Sequence, residues 1–90
     1  MENEVVLFRD GEVELEVQIS PDHETVWLSS NQMSDLFDRD EKTIRKHVNK
    51  LFSDGEIECE NNTQKMRVEG VKQSVAFYSL DVILGVGYRV

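Results

Sequence analysis

The basic side chains of this 90-residue chain are concentrated in one short segment. Residues 41–50 carry Lys42, Arg45, Lys46 and Lys50 against a single acid, Glu41. Lys and Arg can neutralise phosphates, and Asn, Arg and Lys can hydrogen-bond to base edges in the major groove of DNA. The residues expected to contact DNA are Lys42, Thr43, Arg45, Lys46, His47, Asn49 and Lys50 of this segment, and Lys72 further along the chain.

The overall charge argues against a general nucleic-acid binder. The chain has a formal net charge of −8, and residues 1–40 carry eleven acidic and two basic side chains. A nucleic-acid-binding domain is usually basic as a whole. Charge alone therefore leaves two interpretations open, a DNA-contacting face or a solvated helix surface with solubilising bases.

Two helices are predicted around the basic segment. Ser29 or Ser30 can cap the first, in which Met33, Leu36 and Phe37 follow at helical spacing. Asp40 can cap the second, with Glu41 favourable in its first turn. The second helix, Asp40–Phe52, has its apolar residues at i, i+4, i+7 and i+8, which predicts a buried stripe made of Ile44, Val48, Leu51 and Phe52.

A short connection between two helices, of which the second is basic, is typical of a helix-turn-helix. A recognition helix reads bases mainly with its N-terminal half. The groove-facing group is therefore predicted to be Lys42, Thr43, Arg45 and Lys46, with Lys50 nearer a phosphate.

Strands are predicted on both sides of the helices. Val5–Phe8, the Asp10-Gly11 turn and the alternation of apolar and acidic residues over 13–19 indicate a β-hairpin. Thr25–Leu28 predicts a short strand leading into the first helix. Ser53-Asp54-Gly55 should end the second helix. The strands predicted after it are a weak strand Ile57–Glu60 and two strands around Gly70, Gln64–Glu69 and Gln73–Tyr78. A last helix, capped by Ser79, is predicted from Leu80 toward Tyr88. Gly85 and Gly87 count against that last helix.

The predicted fold class is α+β, a winged helix-turn-helix with an N-terminal β-hairpin and a C-terminal helix. One domain should cover residues 1–90: the hairpin and leading strand at 1–28, the helix-turn-helix at 29–53, the wing strands at 56–78 and the last helix at 79–90. The wing carries Lys72 near its tip, where contact with DNA and a purely solubilising role both remain open. The abrupt end on Tyr88-Arg89-Val90 predicts a piece of a longer protein, with a further C-terminal domain.

Other function classes find little support in the residues. No serine lies in a nucleophile-elbow sequence, and His23, His47 and Cys59 lack the spacing of metal ligands. We therefore expect no catalysis, cofactor or metal site in this chain. The single cysteine, the acidic N-terminus and the lack of a long apolar run predict a cytoplasmic protein that does not enter a membrane.

Several blocks of the sequence resemble the RhuM family of bacterial virulence-associated proteins. They are Thr25–Leu28, Gln32–Phe37, Thr43–Val48, Leu51-Phe52 with Gly55–Ile57, and Phe77–Ile83 with Val86–Val90. Their order and spacing cover most of residues 25–90. The resemblance implies a winged-helix-like, DNA-binding N-terminal region of a longer protein, and it implies no proven biochemical activity. Asp38 stands where helix-turn-helix turns often have glycine, so left-handed backbone is expected at an acidic residue beside the DNA face.

A protein-interaction or dimerisation module without DNA binding is the alternative. The acidic hairpin with its apolar face is a plausible partner surface for a second copy or for the missing C-terminal part. The two interpretations differ in one testable feature. If Glu12, Glu14 and Glu16 cover Lys42, Lys46 or Lys50, the bases are structural and the DNA interpretation is weakened.

Overall fold

The chain forms an α+β structure, as predicted. The computed structural model describes residues 4–10, 13–19 and 25–90. Its elements in chain order are β1 (Glu4–Asp10), β2 (Val13–Ile19), β3 (Val26–Ser29), α1 (Ser30–Phe37), α2 (Glu41–Ser53), a 3₁₀ turn (Glu60–Asn62), β4 (Thr63–Met66), β5 (Val75–Tyr78) and α3 (Leu80–Gly87).

All five strands belong to one antiparallel sheet in the order β1-β2-β3-β5-β4. The predicted hairpin is present, and Asp10 lies opposite Val13 at its end. Gly11, the second residue of the predicted turn, lies outside the described residues. Gln18 lies opposite Trp27, and Leu28 opposite Tyr78, so β3 joins the N-terminal hairpin to the later strands. The strands therefore form one sheet and not two separate hairpins.

The weak strand predicted at Ile57–Glu60 is absent, and that prediction was wrong. The backbone N–H groups of Glu56 and Ile57 donate to the carbonyl oxygen of Leu51, at 3.1 and 3.4 Å, and thereby satisfy the end of α2. The Asn62 side chain donates to the Glu58 carbonyl oxygen at 2.7 Å and holds the following turn. These groups serve a helix end and a 3₁₀ turn, so they are not used in a strand ladder. The predicted strands Gln64–Glu69 and Gln73–Tyr78 are also shorter than expected, as β4 and β5.

Local geometry explains where α1 begins and ends and where α2 ends. Ser29 and Gln32 form a reciprocal capping box, in which the Gln32 N–H donates to Ser29 Oγ at 3.2 Å and the Ser29 N–H to Gln32 Oε1 at 3.0 Å. Asp38 ends α1 with φ 53° and ψ 52°, the left-handed geometry expected from the sequence. Asp40 precedes α2, but its side chain makes no capping hydrogen bond. Gly55, with φ 73°, follows α2.

The core lies between the sheet and the three helices. The predicted stripe of α2 is buried at Ile44, Val48 and Leu51, with Phe52 partly buried against Tyr78 at a ring separation of 6.2 Å. The other buried members are Leu28, Met33, Val82, Ile83 and Val86. The exposed side of α2 is therefore fixed by the burial of its opposite side.

Close approach of α3 to the other helices accounts for its two glycines. A Cβ atom at Gly85 would lie 2.9 Å from Leu51 Cδ1, and one at Gly87 would lie 3.3 Å from the Phe37 ring. Limited space and not backbone flexibility thus favours glycine here, and α3 forms despite the low helix propensity of glycine. Within the described residues no helix has the length and apolar character needed to cross a membrane.

Candidate nucleic-acid interface

The candidate interface is the side of α2 that faces away from the core. Of the residues predicted there, Lys42, Arg45, Lys46, Asn49 and Lys50 are exposed, and Thr43 and His47 are partly buried. A shallow depression of about 360 Å³ is lined by Lys42, Thr43, Arg45, Lys46 and Asn49. Five of the predicted side chains thus border one surface, and they come mainly from the N-terminal two thirds of the helix.

Arg45 is held in place by a relay of two contacts that starts on α1. Ser30 Oγ donates to Glu41 Oε2 at 2.6 Å, and Arg45 Nε lies 2.9 Å from the same oxygen. The guanidinium has five N–H donors in a planar fork. Because Glu41 contacts the Nε edge, the terminal nitrogens remain for a ligand, and the Arg45 side chain is 60% exposed.

The other bases of α2 differ in their ion pairing. Lys50 Nζ lies 3.4 Å from Asp54 Oδ1, one turn further along. Lys42 and Lys46 form no ion pair with any residue in the described ranges. The most available positive charges are therefore those of Lys42 and Lys46, near the start and middle of the helix.

Glu41 and Ser30 are site residues that the sequence interpretation missed. The spacing of Glu41 and Arg45, i and i+4 with the acid first, is the favourable order for a helical ion pair and could have identified Glu41. Ser30 lies eleven residues before Glu41, and only the geometry of the turn brings the two together. No local pattern in the sequence predicts that contact.

The described strands of the acidic hairpin form no ion pair with this face of α2. α2 packs on α1 and α3, whereas β2 packs on β1, β3 and α1. Glu16 is exposed, and its carbonyl oxygen accepts a hydrogen bond from the Gln32 side chain at 2.5 Å. Glu12 lies outside the described residues. Since Lys42 and Lys46 have no ion pair in the part of the chain that is described, Glu14 and Glu16 pair with neither of them.

Lys72 lies apart from the α2 residues, in the exposed loop between β4 and β5. Gly70, with φ 83°, and a hydrogen bond of 3.1 Å from the Val71 N–H to the Val68 carbonyl oxygen shape this loop. Arg67, Val68 and Val71 line a different cleft, of about 590 Å³, together with Val5 and Gln18 of the hairpin and other residues. Lys72 lines neither this cleft nor the depression on α2.

Among the described residues, Tyr78 is the titratable side chain whose pKa is shifted most clearly by its environment. Burial raises the pKa of the Tyr78 phenol, nearby Cys59 and Glu41 act in the same direction, and Arg45 opposes them. The phenol therefore stays uncharged through neutral pH. No group of three or more His, Cys, Asp or Glu in the described residues is placed to hold a metal ion.

Comparison with known proteins identifies no family. No protein-family model matches the chain, and no curated protein or solved structure matches it either. The functional interpretation therefore depends on the residues and their geometry.

Proposed function

We propose that this chain is the DNA-binding winged helix-turn-helix module of a RhuM-like bacterial cytoplasmic protein, and that α2 enters the major groove. The observation that supports this most is the exposed basic face of α2, which lies opposite the buried stripe and follows α1 after a left-handed turn at Asp38. A major groove admits one α-helix, and Lys and Arg on that helix can reach both phosphates and base edges.

The order of elements supports the winged-helix part of the proposal. β3 leads into α1 and α2, then β4 and β5 form an antiparallel hairpin, and β5 lies beside β3 in the sheet. The loop between β4 and β5 would then be the wing, with Lys72 near DNA backbone. The resemblance of residues 25–90 to the RhuM family points in the same direction.

Amide NMR titration with a short mixed-sequence duplex tests the proposal. At low salt we expect shifts concentrated on Lys42–Lys50, with smaller ones near Lys72, and we expect them to weaken as salt is added because phosphate contacts release counterions. Non-specific affinity of ~10⁻⁴ M or weaker is expected from the acidic remainder of the chain. Absence of shifts at millimolar duplex, or shifts spread evenly over the surface, would contradict DNA binding through α2.

Substitution of Glu41 by glutamine should separate affinity from selectivity. The relay through Glu41 holds Arg45 as a pre-oriented fork, which suits the two acceptors of guanine in the major groove. We expect Glu41→Gln to bind random duplex more tightly, since one negative charge leaves the interface. Discrimination between a selected site and random duplex should fall by about tenfold, as for the loss of one bidentate contact.

A binding-site selection followed by competition titrations measures both quantities for Glu41→Gln. Glu58→Gln is the matched control, because it removes an exposed acid away from α2. If the two variants change affinity and discrimination alike, Glu41 acts through charge alone and does not orient Arg45.

A second candidate is a protein-interaction module without DNA binding. The formal net charge of −8 favours it, because most of the surface would repel phosphate. The NMR titration distinguishes the two functions. Assembly with a second copy is compatible with either, because paired modules on DNA gain a second half-site.

A further inference from the structure

We propose that β1 is the contact surface between two copies of this chain, which pair β1 to β1 in antiparallel fashion about a two-fold axis. This inference extends the dimeric form of the proposed function to a defined surface. The surface is the outer edge of the sheet at Val5, Val6 and Leu7.

β1 is the terminal strand of the sheet. It pairs with β2 over its whole length, from Glu4 opposite Ile19 to Asp10 opposite Val13, with no bulge in the register. No other strand of the described residues pairs with its outer side. An uninterrupted edge of this kind presents a row of backbone donors and acceptors that can template another strand.

The middle of β1 is apolar and exposed on both of its faces. Val5, Val6 and Leu7 are 54%, 38% and 49% exposed. Successive side chains of a strand point to opposite faces. Three consecutive exposed apolar residues therefore make both faces of this part of β1 apolar. Monomeric proteins usually protect such an edge with Lys, Pro or a bulge, and Val5–Leu7 has none of these.

A second copy of β1 fits this edge by register. Two residues separate Asp10 from Val13, and in a hairpin with such a turn the two residues that flank it form a hydrogen-bonded pair. Along antiparallel strands, hydrogen-bonded pairs alternate with pairs whose backbone groups point away from the partner strand. The backbone groups of Val5 and Leu7 therefore point outward. A two-fold ladder that uses them can place Val5 opposite Leu7 of the second copy and Val6 opposite Val6. Each exposed apolar residue then gains an apolar partner.

Charge and size predict a weak dimer with an unusual salt dependence. Each copy carries a formal net charge of −8, so two copies repel one another and added salt should strengthen their association. In this register only Glu4–Phe8 of each copy pairs, and a strand pair of five residues lies at the small end of specific interfaces. DNA binding has the opposite salt dependence, because it releases counterions. The opposite salt dependences therefore show whether dimerisation or DNA binding has failed.

Sedimentation equilibrium of the whole chain over a range of concentrations, at low and high salt, is the first test. We expect a monomer–dimer equilibrium that shifts toward dimer with salt. Leu7→Lys should weaken it at least tenfold, whereas Leu84→Lys should leave it unchanged. Leu84 is the matched control because it is an equally exposed leucine, at 51%, on α3. A monomer under all conditions, or a dimer that Leu84→Lys disrupts and Leu7→Lys does not, would overturn the proposal.

Cross-linking tests the register. In a Cys59→Ser background, Val6→Cys should form a disulfide-linked dimer on mild oxidation, since directly opposed residues have Cβ atoms about 4.5–5.5 Å apart. Leu84→Cys, 51% exposed on α3, is the control and should remain monomeric. Equal cross-linking of both variants would overturn the register. A salt-strengthened dimer that binds no duplex would support this inference and reject the DNA function.

Discussion

The double variant Arg45→Ala/Lys46→Ala should lose measurable binding to a short duplex at low salt and should unfold at nearly the same denaturant concentration as the parent chain. Arg45 and Lys46 border the same depression on α2, and both side chains are exposed. Their removal takes away two of the few bases on an otherwise acidic protein.

The fold should tolerate this change, because neither side chain contributes to the core. The Arg45–Glu41 ion pair spans one turn of helix and is largely exposed, and such pairs stabilise by about 0.3–0.5 kcal/mol. Lys65→Ala/Arg67→Ala removes one lysine and one arginine from β4 and the proposed wing, where we expect a smaller loss of affinity, and it serves as the comparison. Equal losses of affinity in the two double variants would mean that α2 has no special role.

Truncation of Leu51 to alanine should lower the free energy of unfolding by about 2–5 kcal/mol, the usual cost of deleting a buried leucine side chain. Leu51 is 2% exposed, lies against the position of Gly85 on α3, and faces Ile57 across the same contact. A domain of this size has a total stability of about 5–15 kcal/mol, so the variant would be only marginally folded.

Urea unfolding followed by circular dichroism measures the effect. Lys50→Ala is the neighbouring control; its exposed pair with Asp54 should contribute at most about 1 kcal/mol. A loss below about 1 kcal/mol for Leu51→Ala would show that α2 and α3 are not packed as closely as the distance at Gly85 implies.

Local periodicity was sufficient to predict the helices. The stripe of α2 repeats over about two turns, and burial of Ile44, Val48 and Leu51 confirms it. Ser29 and Gln32 stand three residues apart, a spacing that allows the observed capping box. Alternation over 13–19 likewise predicts β2, because a period of two admits no helical alternative.

Contacts between residues distant in sequence could not be predicted in the same way. The Ser30–Glu41 hydrogen bond depends on the path of the chain through Asp38, and the pairing of β3 with β5 joins segments about fifty residues apart. At Ile57–Glu60 the local residues suit a strand, but the open carbonyl groups at the end of α2 recruit the backbone instead.

The pairing of β2 with β3 places an intrinsic optical reporter at the junction between the N-terminal hairpin and the helical part. Trp27 is the sole tryptophan of the chain, it is partly buried, and it lies opposite Gln18. Its indole Nε1–H is buried without a hydrogen-bond partner in the described part of the protein. Tryptophan fluorescence therefore follows detachment of the hairpin, whereas far-ultraviolet circular dichroism follows the helices. Without any added label, the two signals can show whether these parts of the sheet unfold together or in sequence.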